Sequence, residues 1–275
     1  MMSPLPNLQA CMADTDALLI TAGAGMGVDS GLPDFRGNEG FWKAYPPLRH
    51  LGIGFSDMAN PHWFEQRPQL AWGFYGHRLH LYRQTKPHAG FTTLLHYAQS
   101  RPSGYGIFTS NVDGQFQRAG FDDQVLLECH GSIHHLQCTE PCCDQIWSAE
   151  SLNLTVDPDS FMAALPLPTC PSCGCLARPN ILMFGDGQWI SRREQQQDQN
   201  LNHWLQRAHG KKVTILELGA GEAVPTVRYF SERVAEGLGA TLIRINPRDS
   251  HVPAHINAHG LAMGAAEGIA ALLAP

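Results

Sequence analysis

The chain has 275 residues, 43% of them hydrophobic and 16% charged, with a formal net charge of -6 and a pI near 6.1. That length carries a large core plus a smaller second unit, and the acidic balance argues against a protein drawn to DNA or an anionic membrane by its charge. The N-terminus, "MMSPLPNLQACMADTDALLI", lacks the basic start and unbroken apolar run of an export signal, and no segment reaches the roughly 20 apolar residues of a membrane span. A cytoplasmic location, with neither membrane nor nucleic acid as partner, is the expectation.

Short apolar runs recur at 17–21, 105–109, 125–127, 213–218 and 241–245, each bounded by Gly, Asn, Asp or His. Buried strands of a parallel sheet read this way. Helix-like stretches separate them, including 91–99 and 226–238, and the alternation implies a doubly wound, Rossmann-like α/β sheet. Ligands of such sheets sit beyond the carboxyl ends of the strands. Here those ends read "TAGAG", "TSNVDG", "ECHG", "ELGAGE" and "INP", all polar or glycine-rich.

Gly23-Ala24-Gly25, after the first run, is the turn that close approach to a pyrophosphate calls for. The full dinucleotide fingerprint needs a third glycine, where this chain has Val28; a ligand-free strand-to-helix turn is the competing reading. A second pair, Gly219 and Gly221, strengthens the case for a nucleotide lying across the sheet. Asn111, Asp113 and His130 stand at two strand ends, the first two expected on one side by period two, and His130 is the best candidate base. No G-x-S-x-G elbow is present, which argues against a serine hydrolase triad. Cys129 reads as a buried strand thiol.

Two segments break the alternation: 37–86, an aromatic- and proline-rich loop followed by helices, and 134–179, which holds six of the eight cysteines. They are expected to form a small domain (38–85 and 134–178) inserted into a discontinuous sheet domain (1–37, 86–133 and 179–275). Cys170-x-x-Cys173 pairs with Cys138 and either Cys142 or Cys143, with Cys142 favoured for the more compact knuckle, the spacing of a four-thiolate structural zinc ribbon. Such a site has no open coordination position and would staple the small domain. His134 and His135 are read as surface or packing residues of that domain.

Taken in order, "GAGMGVDSGLPDFRG", "TSNVDGQFQRAG", "CHGS", the cysteine knuckles, "RPNILMFGD", "LGAGEAV" and "IN" resemble the sirtuins, NAD-dependent protein deacylases, over nearly the whole chain. The resemblance implies NAD as co-substrate, one structural zinc and an acyl-lysine protein or peptide as partner. It implies cofactor contacts from Gly23, Ala24, Gly25, Asp34, Phe35, Arg36, Ser110, Asn111, Asp113, His130, Gly219, Ala220, Gly221 and Asn246. In that scheme "PDFRG" is the cofactor-binding loop, with Phe35 over the nicotinamide pocket and Arg36 near the phosphate and ribose. Asn111 positions the ribose and a water, Asp113 binds the nicotinamide amide, His130 activates a ribose hydroxyl and Asn246 meets the adenine-side ribose. Residues 183–186 resemble the strand that pairs with the substrate peptide. The chain departs from the family pattern at Gly27, Ser110, Gln115-Phe116, Asp186 and Gly219-Ala220-Gly221. An ADP-ribosyltransferase or NAD glycohydrolase on the same scaffold is the alternative activity, and a non-catalytic NAD sensor is a third.

Overall fold

The computed structural model describes residues 5–34, 37–140 and 142–274. Its strands are β1 (Ala17–Ala22), β2 (Tyr105–Thr109), β3 (Leu126–Glu128), β4 (Gly131–Cys138), β5 (Ile146–Ser148), β6 (Ala177–Ile181), β7 (Val213–Leu218), β8 (Thr241–Ile245) and β9 (Ala258–Leu261). Six of them form one parallel sheet in the order β3-β2-β1-β7-β8-β9. The order runs outward in both directions from β1 and β7, so the crevice of the fold opens above that pair.

The unbroken apolar run of β1 follows from its position, because both faces are covered. Leu18, Ile20 and Ala22 pack with Phe91, Leu94, Ile269 and Leu272 on one side. Ala17 and Leu19 pack with Trp204, Val227, Phe230 and Leu242 on the other. Alternate residues therefore serve opposite layers. Among the described residues no helix is long and apolar enough to cross a membrane.

The remaining strands form an antiparallel sheet, β5-β4-β6, with Leu136 opposite Trp147 and Pro179. Its hydrophobic cluster is dominated by aromatics from the insertion after β1, among them Phe41, Tyr45, Trp72, Phe74 and Tyr75. The helix Pro68–Gln84 crosses close to the chain at Phe161: a Cβ on Gly73 would lie 2.0 Å from the Phe161 carbonyl oxygen.

Several expectations shift. The segment expected to open as a loop after Gly37 is instead helical from Gly37 to Ala44. Val125 belongs to a 3-10 turn, so β3 starts one residue late. Strand β9 went unread because "AHGL" is a half-exposed edge with no apolar run. The antiparallel sheet starts at Gly131 and ends at Ile181, so borders drawn at 134 and 178 fall inside β4 and β6.

Candidate active site at the sheet crevice

The two glycine turns meet main chain to main chain. Gly23 N donates to the Leu218 carbonyl at 3.0 Å and Gly25 N to the Gly219 carbonyl at 3.0 Å. A Cβ on Gly25 would lie 2.6 Å from Gly219 Cα, and one on Gly219 would lie 2.4 Å from the Gly25 carbonyl carbon. Gly219 also has φ +63°, the left-handed region. These glycines are thus required by packing between the turns, a reason the ligand-based reading did not contain. Beyond the first turn the chain forms a 3-10 helix, Ala24–Ser30, in place of a regular α-helix, and Met26 N is spent on the Gly23 carbonyl. Gly221 faces open space.

Ser110, Asn111 and Asp113 lie past the end of β2, so hydrogen bonds, not strand period, fix their directions. The Ser110 N–H and the Thr109 hydroxyl both donate to the Ala22 carbonyl, at 3.1 and 2.9 Å, while Thr109 Oγ1 accepts from Asn111 N at 3.1 Å. Asn111 Nδ2 donates to the Gly23 carbonyl at 3.0 Å, tying this loop to the first glycine turn. Asp113 is 8% exposed, and its Oδ1 accepts from Gln115 N at 2.9 Å. Burial pushes its carboxyl up to about 6.

His130 follows β3 and is half-buried; its carbonyl accepts from Leu182 N at 2.9 Å. Burial lowers its pKa below the ordinary histidine value, against an opposing hydrogen bond to the Ser110 main chain. The ring is therefore neutral at pH 7 and able to accept a proton. Cys129 is partly exposed at its surface, and desolvation holds its thiol in the protonated form.

On the far side of the crevice Asn246 is 4% exposed and uses its amide within the protein. Its Nδ2 donates to the Ala220 carbonyl at 2.9 Å, and its Oδ1 accepts from the N–H groups of Arg248 at 3.0 Å and Asp249 at 2.9 Å. The side chain thereby locks the second glycine turn to the turn after β8. A cavity of about 790 Å³ adjoins this region, lined by Leu32, Asp34, Tyr45, His77, Leu81 and Arg248 among others. Asp34 and Arg248 form an ion pair at 3.8 Å on its wall. Phe35 and Arg36 lie outside the described residues. Tyr45, His77 and Arg248 carried no motif signal, since a contiguous pattern cannot show that residues of the segment after β1 and of the turn after β8 meet at one cavity.

One histidine read as packing has a sharper place. His134 Nε2 lies 2.9 Å from the Asp113 carbonyl oxygen, joining the antiparallel sheet to the loop that carries Asp113.

The Sγ atoms of Cys138, Cys142, Cys170 and Cys173 all lie within 4.8 Å of one another. Cys138 and Cys173 are 3.6 Å apart, Cys142 and Cys170 3.7 Å. A tetrahedron with Zn–S bonds of about 2.3 Å has edges of about 3.8 Å, so the four thiols fit a zinc ion. Between the two alternatives the cluster takes Cys142; Cys143 lies beside it, with its Sγ 3.5 Å from that of Cys142, and Cys175 also stays outside.

The segment expected to pair with a peptide as a strand forms a turn instead. β6 ends at Ile181, Gly185 has φ +69°, and Phe184 N donates to the Ala59 carbonyl at 2.8 Å. Asp186 explains the shape: it makes a bidentate pair with Arg178 at 2.7 and 2.9 Å, and it accepts from Met183 N and Gln188 N at 3.3 and 3.1 Å. Both side chains of the pair are buried.

Residues 23–204 match the model of the Sir2 family. An NAD-dependent protein deacylase of Thermus thermophilus is 30% identical over 283 residues, covering 100% of this chain and 96% of its own. One from Leptospira interrogans is 31% identical over 229 residues, covering 83% and 80%. Among solved structures, a Sir2 homologue–NAD complex superposes with a TM-score of 0.70 at 22% identity, covering 99% and 93%. A Sir2 homologue bound to ADP-ribose gives a TM-score of 0.70 at 24% identity, covering 97% and 94%. With the glycine seam at the crevice, the Asn-Asp-His strand ends and the four-thiol cluster all in place, the match over most of the chain completes the assignment: this protein belongs to the Sir2 family.

Proposed function

We propose that the protein is an NAD-dependent protein-lysine deacylase that converts an acyl-lysine, NAD and water to lysine, nicotinamide and O-acyl-ADP-ribose. The observation that carries this reading is a neutral, half-buried His130 hydrogen-bonded to the main chain of Ser110, in the loop that also carries Asn111 and the buried Asp113. The deacylase relatives, similar over 83–100% of this chain, support it.

When bound, NAD supplies a ribosyl centre whose bond to nicotinamide is broken as the acyl oxygen attacks. Asn111, tied to the first glycine turn, orients the ribose; Asp113 receives the nicotinamide amide; His130 takes the proton of a ribose hydroxyl. A cationic, oxocarbenium-like transition state needs orientation and exclusion of water more than a strong nucleophile, and the crevice offers held loops instead of a reactive thiol. The cofactor contacts proposed for Gly23, Ala24, Gly25, Asp34, Phe35, Arg36, Ser110, Gly219, Ala220, Gly221 and Asn246 belong to the same reading. So do the discontinuous division of the chain, the role of Cys138, Cys142, Cys170 and Cys173 as zinc ligands, an acyl-lysine peptide as substrate, and a cytoplasmic location.

Mass spectrometry of the products from NAD and a panel of acyl-lysine peptides tests the proposal, with His130→Ala alongside. O-acyl-ADP-ribose that disappears in the variant is the expected result. Nicotinamide accompanied only by free or protein-bound ADP-ribose would assign the scaffold to the transferase or glycohydrolase alternative.

A further inference from the structure

We propose that His134 is a positioning residue of the active site, acting through the Asp113 carbonyl to hold the nicotinamide-binding carboxylate in place. The inference rests on the role given to Asp113 above. It also places a specific demand on β4, a strand of the antiparallel sheet that carries no cofactor contact in that reading.

The loop between Thr109 and Gln115 is gripped by β4 at two successive points. Ile133 N donates to the Val112 carbonyl at 3.0 Å, and the His134 ring meets the Asp113 carbonyl at 2.9 Å. A carbonyl can only accept, so Nε2 carries the proton. Burial disfavours the charged ring, which makes this a neutral donor that does not compete for the Asp113 carboxylate. The ring also fills the space beside Gly114, where a Cβ would lie 2.8 Å from His134 Cδ2 and Nε2. Gly114 has φ +72°, and this turn sends the Asp113 side chain back toward Gln115 N. His134 therefore fixes both the carbonyl and the turn, while the neighbouring main-chain bond from Ile133 retains the loop when the ring is changed. Four residues further on, β4 ends at Cys138, so the strand that meets the nicotinamide loop is anchored by the four-thiol cluster.

Two variants separate the hydrogen bond from the packing. His134→Phe keeps a ring against Gly114 and loses the donor; His134→Gln keeps an N–H at a similar reach. Each is assayed for zinc content, melting temperature, KM for NAD, kcat and the nicotinamide concentration that halves the rate. In His134→Phe, loss of one buried hydrogen bond is expected to raise KM for NAD and the half-inhibiting nicotinamide concentration by about tenfold, with zinc content unchanged. His134→Gln is expected to restore both to within about threefold. In an Asp113→Asn background His134→Phe should add less than about twofold, because the two act as one unit.

Unchanged nicotinamide inhibition in a folded His134→Phe, a glutamine variant as impaired as phenylalanine, or full additivity with Asp113→Asn would overturn the inference. If His134→Phe does not fold, His134→Leu, which also lacks the donor, takes its place: the same tenfold rise in the half-inhibiting nicotinamide concentration is expected, and an unchanged value in the folded variant would overturn the inference. Should the wild-type chain release no nicotinamide with any acyl peptide, the deacylase reading has failed. The His134 assignment is then read from nicotinamide affinity by titration calorimetry, with the same tenfold loss and glutamine rescue expected and their absence counting against it.

Discussion

At the crevice two loops are held main chain against main chain, with Gly25 and Gly219 so close that neither has room for a Cβ. Around the antiparallel sheet the loops are held by side chains: four thiols at zinc-binding spacing between β4 and β6, and the buried Arg178–Asp186 pair that shapes the turn after β6. The two arrangements fail in different ways. Backbone packing tolerates no added atom but needs no ligand. The region of the antiparallel sheet leaves Cys143 and Cys175 outside its four-thiol cluster, which has the spacing to hold a metal, and relies on complete pairing of two buried charges.

The largest expected effect is on the metal. Cys170→Ala should lose zinc and the cooperative unfolding of that region, because structural zinc binding is folding free energy. Cys143→Ala and Cys175→Ala should keep one zinc per chain by metal analysis; loss of metal in either would redraw the ligand set. Next comes the ion pair. Asp186→Ala leaves a buried guanidinium unpaired and should cost about 3–5 kcal/mol in denaturant unfolding, with zinc retained at saturating metal. An effect below about 1 kcal/mol would show that the turn does not depend on the pair.

Gly219→Ala tests the crevice itself, and about 2–4 kcal/mol is expected from overpacking and the left-handed backbone together. Zinc content should not change; if it did, the two regions would not be independent. The smallest effect depends on pH. The folded Asp113 carboxyl sits near 6 against 3.8 unexposed to burial, so the folded chain binds that proton more tightly than the unfolded chain. The contribution of Asp113 to stability should therefore fall as pH rises from about 4 through 6 and level off above, a penalty of up to about 3 kcal/mol. Asp113→Asn escapes this penalty, so its melting temperature should gain on the wild type between pH 4 and pH 7. A gain that is flat with pH would mean the carboxyl is not destabilised by burial.

The parallel sheet was legible because its strands are short, apolar and bounded by turn residues; β2, β7 and β8 fall where their apolar runs do. β9 was not, since an edge strand half open to water has no such run. The strand ends pointed to Asn111, Asp113 and His130 as candidates, but not to their mode of support, because Asn111 and Asp113 lie in a loop where hydrogen bonds replace strand period. Cysteine spacing pointed to the four-thiol cluster and favoured Cys142 over Cys143 only for the more compact knuckle; the placement of the loop brings Cys142 into the cluster. His134 had no signal in sequence: its partner is a backbone carbonyl 21 positions away, and no residue type marks an acceptor that every residue possesses. The seam glycines carried a signal with an incomplete explanation, since a turn that receives phosphate and a turn that receives another turn demand the same residue.

The seam between the glycine turns also bears on the thermodynamics of ligand capture. Gly23 and Gly25 are bonded to the end of β7, Asn111 reaches the Gly23 carbonyl, and Asn246 holds the Ala220 carbonyl. The main chain on both sides of the crevice is thus ordered before any ligand arrives, and the entropy of fixing it is charged to folding instead of to binding. Affinity at this end of the site is then free to reflect contacts alone, with the ordering cost of capture confined to segments that the seam does not hold.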